Sequence, residues 1–390
     1  MKGAARDARA LLLFTEVLAN GGIQRFNQTL LNALERLEVR CQALSLNDPK
    51  RARAPDTCPS LQLKGFGGDR FAFVLALART LATQRFDIVL VGHVNFATVA
   101  RIALGLFPWS RPRTVFIAHG IEVWSGIGPL RRFALGRMDR ILCVSHYTRD
   151  RVLEQAPALA ATRLTVFPNA LAGSWSSIVP AAITRDLPAR FVLSVTRLEP
   201  GDRYKGIATV IEALAMVSDL DIDYVVVGAG RDIAFLKLVA ERFGVSARVH
   251  FWTGVTDAEL VSLYRKCLAF VLPSGKEGFG IVFLEAMYFG APVVAAREKG
   301  AMDVVRDGET GLSVPFGDVI ALRRAIERLA NDAALVERLQ SRGRSMVTAD
   351  GPFTFERFKE RCAEALLNDP PVPPRHERGD AVAPLGSAPR

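Results

Sequence analysis

The sequence predicts an α/β protein built from two parallel-sheet units of similar size. Short apolar runs rich in Val, Ile and Leu alternate with stretches whose apolar residues recur at helical spacing, which is typical of parallel sheets covered by helices. The 390 residues also exceed the usual size of one domain. The alternation stops over residues 176–190, where Ser, Pro and Ala accumulate. We therefore expect two domains joined by a linker.

The first unit is expected to span residues 1–175. Its start resembles a secretion signal, with basic residues before an apolar run. However, Glu16 interrupts that run, which is also too short, so a first β-strand is the preferred interpretation. The predicted strands are Ala10–Thr15, Val39–Ser45, Ile88–Val91, Thr114–Ala118, Arg140–Val144 and Leu164–Phe167, and the predicted helices are Gln24–Leu37, Arg70–Gln84, Asn95–Leu106, Pro129–Met138 and His146–Gln155.

The second unit is expected to span residues 191–350 and to repeat the same alternation. Its predicted strands are Phe191–Val195, Asp223–Val227, Arg248–Phe251, Ala269–Leu272, Pro292–Ala295 and Gly311–Val314, and its predicted helices are Gly206–Ala215, Ile233–Phe243, Asp257–Lys266, Ile281–Phe289 and Val319–Leu329. A last helix, Phe353–Leu367, falls within residues 351–368. Residues 369–390 are Pro-rich and polar, and this composition predicts a disordered tail.

The net charge of +10 comes from the first unit. Residues 1–175 hold 23 Lys or Arg against 12 Asp or Glu, whereas residues 176–390 hold 27 against 28. Such an excess predicts an acidic partner, which is a nucleic acid, an anionic membrane or a phosphorylated substrate. Nucleic acid is disfavoured because no recognised nucleic-acid-binding module is present. The five scattered cysteines form no CxxC pair, which favours the reducing cytoplasm over a disulfide framework.

Two predicted strands end in glycine-rich turns. Gly21 and Gly22 precede a helix, whose N-terminal N–H groups favour an anion such as a diphosphate, although an ordinary tight turn explains them equally well. Gly228 and Gly230 lack the third glycine of GxGxxG, which argues against a nicotinamide-dependent oxidoreductase. A nucleotide lying against this second loop stays an open interpretation.

The most specific local pattern lies at residues 272–286, where a buried strand leads into a Gly-rich turn and then a helix. The N–H groups of Gly278 to Gly280 and the helix dipole are expected to face a ligand at this edge of the sheet. Glu277 lies in the turn, and Glu285 lies a little over one turn into the helix. An acid near a helix N-terminus is favoured by the helix dipole without any ligand, and this alternative can explain one of the two glutamates. It explains Glu285 less well, because that residue lies within an apolar helix.

Three further side chains follow predicted strands at the same kind of edge. Arg197 and Lys205 follow the first strand of the second unit, and both are suited to phosphate, Arg as a planar donor and Lys as a point charge. A solvated loop is an equal alternative for such a run before its position is considered. His119 ends a strand of the first unit and precedes Gly120, which favours a functional histidine over a structural one.

Other chemistries find little support in the sequence. Asp219, Asp221 and Asp223 have DxD spacing, but they precede a strand at the edge opposite to ligand sites in open α/β sheets, which favours a solvated turn. No GxSxG or HExxH motif is present, so hydrolase and zinc-enzyme interpretations lack their usual residues. No metal requirement is predicted.

Taken together, these motifs resemble the retaining family 4 glycosyltransferases, which have the GT-B fold. Glu277 and Glu285 form an E-x7-E element of that family. The other matching segments occur in the family's order along most of the chain: Gly21-Gly22, His119-Gly120, Val144-Ser145, Pro168-Asn169, Arg197-Leu198, Lys205-Gly206, Gly228 to Gly230, Gly290 to Val294 and Asp307 to Leu312. The resemblance implies two Rossmann-like domains that face each other across a cleft, with the last helix returning to the first domain.

The resemblance also implies a role for each candidate site residue. Gly22 is expected beside the donor diphosphate, and His119 is expected to contact the transferred sugar. Arg197 and Lys205 are expected to neutralise the leaving diphosphate. Among the remaining residues, Glu277 is expected to hold sugar hydroxyls, Gly278, Phe279 and Gly280 to donate backbone N–H groups, Glu285 to bind the ribose, and Gly228 and Gly230 to line the nucleotide.

The expected function is transfer of a hexose from a nucleotide-diphosphate sugar, GDP-mannose or a UDP-hexose, to a glycan or lipid-linked acceptor in cell-surface polysaccharide or glycolipid synthesis. A non-catalytic nucleotide-sugar-binding or scaffold protein of the same fold is the alternative. The basic first domain with apolar Phe71–Ala78 is suited to an anionic membrane surface or a polyprenyl-diphosphate acceptor. A soluble basic surface is an equal interpretation, so the expected location is the cytoplasm, with peripheral attachment to the inner face of its membrane left open.

Overall fold

The computed structural model describes residues 8–19, 21–107, 111–124, 126–159, 163–348 and 350–368, without the side chain of Ser218. Its first sheet has seven parallel strands in the order β3-β2-β1-β4-β5-β6-β7. These strands are β1 Arg9–Phe14, β2 Arg40–Ser45, β3 Gln62–Gly65, β4 Ile88–Val91, β5 Arg113–Ala118, β6 Arg140–Cys143 and β7 Leu164–Val166. The predicted disordered tail, residues 369–390, lies outside the described residues.

The second sheet has six parallel strands in the order β10-β9-β8-β11-β12-β13. They are β8 Phe191–Val195, β9 Asp223–Val227, β10 Val249–Trp252, β11 Ala269–Leu272, β12 Val293–Ala296 and β13 Leu312–Val314. In both sheets the first strand in the chain is central, with Leu12 beside Ala43 and Leu90 in one, and Leu193 beside Val225 and Phe270 in the other. Strand order reverses beside these central strands, which is where open α/β sheets form ligand crevices.

Helices connect the parallel strands, as the alternating pattern predicts. They are α1 Gly22–Arg36, α2 Arg70–Thr83, α3 Val94–Leu106, α4 Ile121–Trp124, α5 Pro129–Leu135, α6 His146–Gln155, α7 Ile207–Ala215, α8 Ile233–Arg242, α9 Asp257–Lys266, α10 Ile281–Tyr288, α11 Val319–Asn331, α12 Ala333–Ser345 and α13 Phe355–Cys362. Among the described helices, none is both long enough and apolar enough to cross a membrane. Strand β3 and helices α4 and α12 were not predicted from the sequence.

The last helix packs on the first sheet's domain, as the resemblance implies. The ring of Phe358 in α13 lies edge-on to Phe26 of α1 at 5.7 Å and to Phe167 at 5.0 Å. Helix α13 continues as a π-helical turn, Ala363–Asn368, whose Leu366 carbonyl accepts from Arg113 Nη1 at 3.4 Å. Since the chain thus returns from the second domain to the first, its two ends lie in the same domain as far as the described residues extend.

Candidate active site

A cavity of about 180 Å³ lies between the two domains, at the carboxyl ends of both sheets' strands. The first domain contributes residues that follow β1, β5, β6 and β7, and the second domain contributes residues that follow β8 and β11. The lining residues are Gly22, Ile23, His119, Ile121, Glu122, Val144, Asn169, Tyr204, Lys205, Lys276, Glu277, Gly278, Phe279, Gly280 and Ile281. Both strand-order reversals therefore open onto one cavity, as expected for a ligand site of two facing sheets.

An ion pair between Lys205 and Glu277 lies in this cavity. Lys205 Nζ is 2.8 Å from Glu277 Oε2, and both side chains are largely buried. Burial alone would lower the pKa of Lys205, but the charge and the hydrogen bond of Glu277 outweigh it and raise that pKa. The ammonium group therefore stays charged at physiological pH. The structure thus brings together two residues that are 72 positions apart in the chain, one expected at the leaving diphosphate and the other at the sugar hydroxyls.

The turn that carries Glu277 contacts the first domain through its backbone. A Cβ added to Gly278 would lie 2.2 Å from the His119 carbonyl oxygen, and one added to Gly120 would lie 3.0 Å from Gly278 Cα. Gly280 adopts φ 92° at the N-cap of α10 and, as a glycine, has no side chain that could cap the helix. The N-terminus of α10 consequently faces the cavity with its helix dipole, and a Cβ at residue 278 would push the two domains apart.

His119 lies on the opposite wall of the cavity and is held as a neutral imidazole. Its Nε2 atom is 3.1 Å from the Gly92 carbonyl oxygen, and its ring meets the edge of Phe26 at 4.9 Å. Burial lowers the pKa of His119 to about 3. A neutral imidazole with one N–H bound to Gly92 suits contact with a sugar hydroxyl rather than proton transfer at neutral pH.

Glu122 organises the turn that presents His119, a contribution that the sequence analysis did not identify. Its Oε1 atom accepts from the backbone N–H of His119 at 2.6 Å and from that of Gly120 at 3.1 Å. Burial raises the pKa of this carboxyl group despite those hydrogen bonds. Because an acid four residues after a strand end is common in turns, the sequence alone could not separate this role from a solvated position.

Asn169 is a second lining residue to which the sequence analysis gave no role, although its Pro168-Asn169 segment was part of the family pattern. It is buried at the end of β7, and its Oδ1 atom is left without a hydrogen-bond partner among the described residues. A buried unpaired acceptor costs free energy unless a bound molecule supplies a donor. Its place on the cavity wall leaves this acceptor available to a hydrogen-bond donor of a bound molecule.

Arg197 does not reach the cavity between the domains. Its side chain is 70% exposed, and its Nη2 atom is 3.3 Å from Asp202 Oδ1. It lines a separate hollow of about 150 Å³ with Arg203, Asp232 and Phe235. The structure therefore separates Arg197 from Lys205, the residue with which the sequence analysis paired it.

Gly228 and Gly230 are explained by local packing. A Cβ at Gly228 would lie 1.9 Å from the Thr196 carbonyl oxygen, and one at Gly230 would lie 2.1 Å from that of Leu198. Leu198 also accepts from the Asp232 N–H at 2.8 Å, so the loops after β8 and β9 lie directly on each other. Neither glycine lines the cavity, and their predicted contact with a nucleotide stays a prediction. Gly22, by contrast, does line it, at the first turn of α1.

Glu285 is fully enclosed. Its Oε1 atom accepts from Arg25 Nη1 at 2.7 Å, and its Oε2 atom accepts from the Tyr264 hydroxyl at 3.0 Å. Burial raises the pKa of Glu285, and the nearby guanidinium opposes that rise. The sequence analysis named Glu285 as a ligand of the ribose but did not identify either partner. Arg25 belongs to the first domain, so this carboxylate also joins the two domains.

The charged groups of the site include no metal-binding cluster. Over the described residues, no three His, Cys, Asp or Glu side chains come together in an arrangement that could hold a metal ion. The groups that could stabilise a developing negative charge are Lys205, Lys276 and the N-terminus of α10, all at the edge of the second sheet. An anionic leaving group would therefore meet this side of the cavity.

Two parallel-sheet domains that face each other across a cleft, with the last helix returning to the first domain, form the architecture of the GT-B class. Residues 20–172 match the model of "Glycosyltransferase Family 4", and residues 180–346 match that of "Glycosyl transferases group 1". The chain belongs to this family of glycosyltransferases.

One relative and two solved structures illustrate the likeness. A GDP-mannose-dependent α-(1-6)-phosphatidylinositol monomannoside mannosyltransferase of Mycolicibacterium smegmatis is 30% identical over 80% of this chain and 86% of its own length. Sucrose-phosphate synthase from Thermosynechococcus elongatus superimposes with a TM-score of 0.75 at 22% identity, covering 92% of this chain and 98% of its own. Anabaena HepE, solved with UDP and glucose, superimposes with a TM-score of 0.73 at 18% identity, and the match covers 92% of this chain and 99% of the HepE chain. At these identities the two structures establish the fold alone.

Proposed function

We propose that this glycosyltransferase transfers mannose from GDP-mannose, with retention of anomeric configuration, to a lipid-linked or glycan acceptor. The observation that carries the proposal is the Lys205–Glu277 ion pair, at 2.8 Å, in the cavity between the domains. The choice of GDP-mannose rests on the Mycolicibacterium smegmatis relative, which is named as a GDP-mannose-dependent mannosyltransferase. A UDP-hexose, which the sequence analysis leaves open beside GDP-mannose, is the competing donor.

The proposed mechanism depends on electrostatic stabilisation and positioning. Sugar transfer passes through an oxocarbenium-like state while negative charge develops on the departing diphosphate. Lys205 and the N-terminus of α10 stabilise that charge, and Glu277 holds the sugar hydroxyls while it fixes the position of Lys205. Arg197 joins them only if its loop moves towards the cavity, because its side chain now points into the neighbouring hollow.

The acceptor proton is proposed to leave with the departing phosphate on the same face of the sugar. Burial lowers the pKa of His119 to about 3, which makes its imidazole a weak base, and Glu277 is engaged with Lys205, so neither is suited to act as the general base. We infer that Gly22 lies beside the diphosphate and His119 beside the transferred sugar. A covalent glycosyl-enzyme adduct trapped during turnover would contradict this route.

A donor panel tests the proposed function. The purified protein is incubated with GDP-mannose, UDP-glucose, UDP-galactose and UDP-N-acetylglucosamine, and release of free nucleotide is measured. GDP-mannose is expected to be consumed fastest, because the named function of the relative depends on it. Preference for a UDP-sugar would overturn the donor assignment but not the reaction class. Release from no donor would favour the non-catalytic alternative.

We further propose that residues 1–175 form the acceptor domain and that one of its faces lies on an anionic membrane. Helices α2, α3 and α5 pack side by side and expose large apolar side chains, of which Phe71 is 80% exposed. The others are Val74, Leu75, Ile102, Leu106, Leu130 and Phe133. Arg70, Arg79, Arg131, Arg132 and Arg137 are exposed on the same helices or directly after them. Apolar insertion combined with Arg suits an anionic lipid surface.

Vesicle flotation tests this membrane proposal. Wild-type protein is expected to float with vesicles containing anionic lipid and to remain largely unbound with neutral ones. The double variant Phe71→Ser/Leu130→Ser should lose most of that binding, because two exposed apolar anchors are removed. Leu238→Ser, an exposed leucine on α8 of the other domain, is the matched control and should float like the wild type. Equal binding to neutral vesicles would contradict the electrostatic part of the proposal.

A further inference from the structure

A cluster of three polar side chains lies in the first domain, just after the carboxyl end of β4. Arg131 of α5 donates from Nη2 to Asn95 Oδ1, in the first turn of α3, at 2.8 Å. His93, the N-cap residue of α3, accepts through Nδ1 from the backbone N–H of Asn95 at 3.2 Å. The cluster therefore lies beside the reversal of strand order between β1 and β4, where open α/β sheets form ligand crevices.

The hydrogen bonds within this cluster leave only donors unused. Burial and the charge of Arg131 lower the pKa of His93, so its imidazole is neutral at physiological pH. Because Nδ1 accepts, the imidazole proton is on Nε2, which has no hydrogen-bond partner among the described residues.

The charge of the cluster is positive and is not compensated. Asn95 uses its amide oxygen on Arg131, which leaves the two N–H bonds of its amide group free to donate. Over the part of the chain that the structure describes, no carboxylate lies within ion-pair distance of Arg131. A guanidinium group beside neutral donors is suited to bind a phosphate group.

The cluster lies between the active-site cavity and the apolar face of the first domain. The carbonyl group that precedes His93 accepts from His119 Nε2 at 3.1 Å, and burial and His93 both lower the pKa of His119. On the other side, Arg131 is flanked on α5 by Leu130 and Phe133, which are 72% and 56% exposed. An anion bound to Arg131 therefore has the sugar-binding wall on one side and an apolar surface on the other.

We propose that Arg131, Asn95 and His93 bind the phosphate or diphosphate group that joins the sugar of a lipid-linked acceptor to its lipid chain. This inference rests on the proposed function, in which the first domain binds such an acceptor. The lipid chain follows the exposed apolar side chains of α5, and the acceptor sugar extends towards His119. All three binding residues belong to one domain, so the site does not depend on the relative positions of the two domains.

The test is calorimetric titration of the full chain with farnesyl diphosphate, a short lipid diphosphate. GDP or UDP, whichever wild type binds, is present at saturation so that the donor site is filled. Farnesol and inorganic diphosphate are titrated in parallel. Farnesyl diphosphate is expected to bind about tenfold more tightly than either, because it offers an anion to the cluster and an apolar chain to α5. Equal affinity for farnesol would overturn the anion site, and equal affinity for inorganic diphosphate would overturn its assignment to a lipid-linked group.

Asn95→Asp is the most informative variant, because it keeps the size of the side chain and its contact with Arg131. It replaces the amide donors by a carboxylate, so the Kd for farnesyl diphosphate should rise about tenfold or more while thermal melting shows an intact fold. A merely structural pair would be preserved or strengthened by this change, and binding would be unaffected. Arg131→Gln should raise the Kd by a similar factor. Arg101→Gln, six positions after Asn95 on α3, is the control and should bind like wild type.

Nucleotide binding separates this inference from the proposed function. The affinity for GDP or UDP should be the same in wild type, Asn95→Asp and Arg131→Gln, because the cluster lies outside the proposed donor site. If wild type binds a nucleotide but both variants bind farnesyl diphosphate like wild type, the anion site is wrong while the donor site stands. If wild type binds neither nucleotide, the donor site fails, and the same variants titrated without nucleotide still decide whether the cluster binds the lipid diphosphate.

Discussion

The two domains contribute to the cleft in different ways. The second domain supplies charges that are already paired, with Lys205 on Glu277 at 2.8 Å inside the cavity. The first domain contributes the backbone of His119 and Gly120, which meets Gly278, and the neutral imidazole of His119. It also contributes the amide oxygen of Asn169, which has no hydrogen-bond partner among the described residues. Its excess positive charge lies on the outside, beside exposed apolar side chains such as Phe71. Under the proposed function, stabilisation of charge and recognition of surfaces are divided between two similar sheets.

The largest expected effect tests whether the charges of the second domain carry the chemistry. Lys205→Met or Glu277→Gln should lower kcat by about 10²- to 10³-fold, because a preorganised charge is lost from a site with little water to replace it. The measurement is nucleotide release under saturating donor. Arg323→Met, which removes one member of a half-buried ion pair on α11, far from the cavity lining, is the matched control and should retain full turnover. A loss below tenfold in both variants would contradict this division of roles.

The next effect tests the place where the two domains touch. Gly278→Ala would put a Cβ 2.2 Å from the His119 carbonyl oxygen, and since both sides are backbone, no side-chain rotation relieves the clash. The domains should then close less completely, and kcat should fall about 10²-fold, since a displacement near 1 Å has that cost.

The melting temperature of Gly278→Ala should change little, because the clash lies between the domains and outside either core. The control is Gly105→Ala in α3, where an added Cβ meets no atom within 4 Å. Turnover equal to wild type in Gly278→Ala would show that the closed contact is dispensable.

The smallest effect tests whether the first domain really contributes a neutral histidine. Burial lowers the pKa of His119 to about 3 in the folded protein, against an ordinary value of 6.5. At pH 7 the His119 imidazole is mostly neutral in both the folded and the unfolded protein. Between pH 6.5 and 3 the imidazole takes up a proton in the unfolded chain only. Stability is therefore lost as pH falls from about 6.5 towards 3, by about 2 kcal/mol at pH 5.

Urea unfolding at pH 7 and pH 5 measures this difference. His119→Gln lacks the ionisable group and should lose correspondingly less stability over the same interval. His146→Gln, which removes an imidazole that is 64% exposed at the start of α6, is the matched control for the loss of a histidine side chain. An equal loss in His119→Gln and wild type would show that His119 is not held neutral.

Much of the fold could be predicted because its elements carry strong local patterns. The strand Ile88–Val91 is apolar throughout and buried on both faces, as a central parallel strand must be. Helix α9 begins at a capping box between Thr256 and Glu259, which fixes its start from sequence alone. Strand β3 was missed because Gln62–Gly65 has only one large apolar residue, and its pairing at the sheet edge with β2 is a tertiary effect.

The site was less predictable, for a different physical reason. Four residues that line the cavity could be predicted from their positions after strands, because the carboxyl ends of parallel strands lie at one edge of a sheet. They are Lys205, Glu277, His119 and Gly22. The partner of Glu285 could not be found in this way, since Arg25 lies 260 positions earlier and in the other domain. Likewise, no local pattern shows that Arg197 turns towards Asp202 rather than towards the cavity.

The return of the last helix determines how this molecule can move. The chain passes between the domains twice, once near Leu171 and again near Phe353, and these crossings are joined by a hydrogen bond of 3.0 Å from the Leu171 N–H to the Phe353 carbonyl oxygen. Because these two interdomain connections are adjacent, they form a hinge with a single axis, and rotation of one domain relative to the other about any other axis is restricted. Opening is then a rotation in which residues near this axis, such as Phe279 against Phe353, shift least. The far rim of the cleft travels furthest.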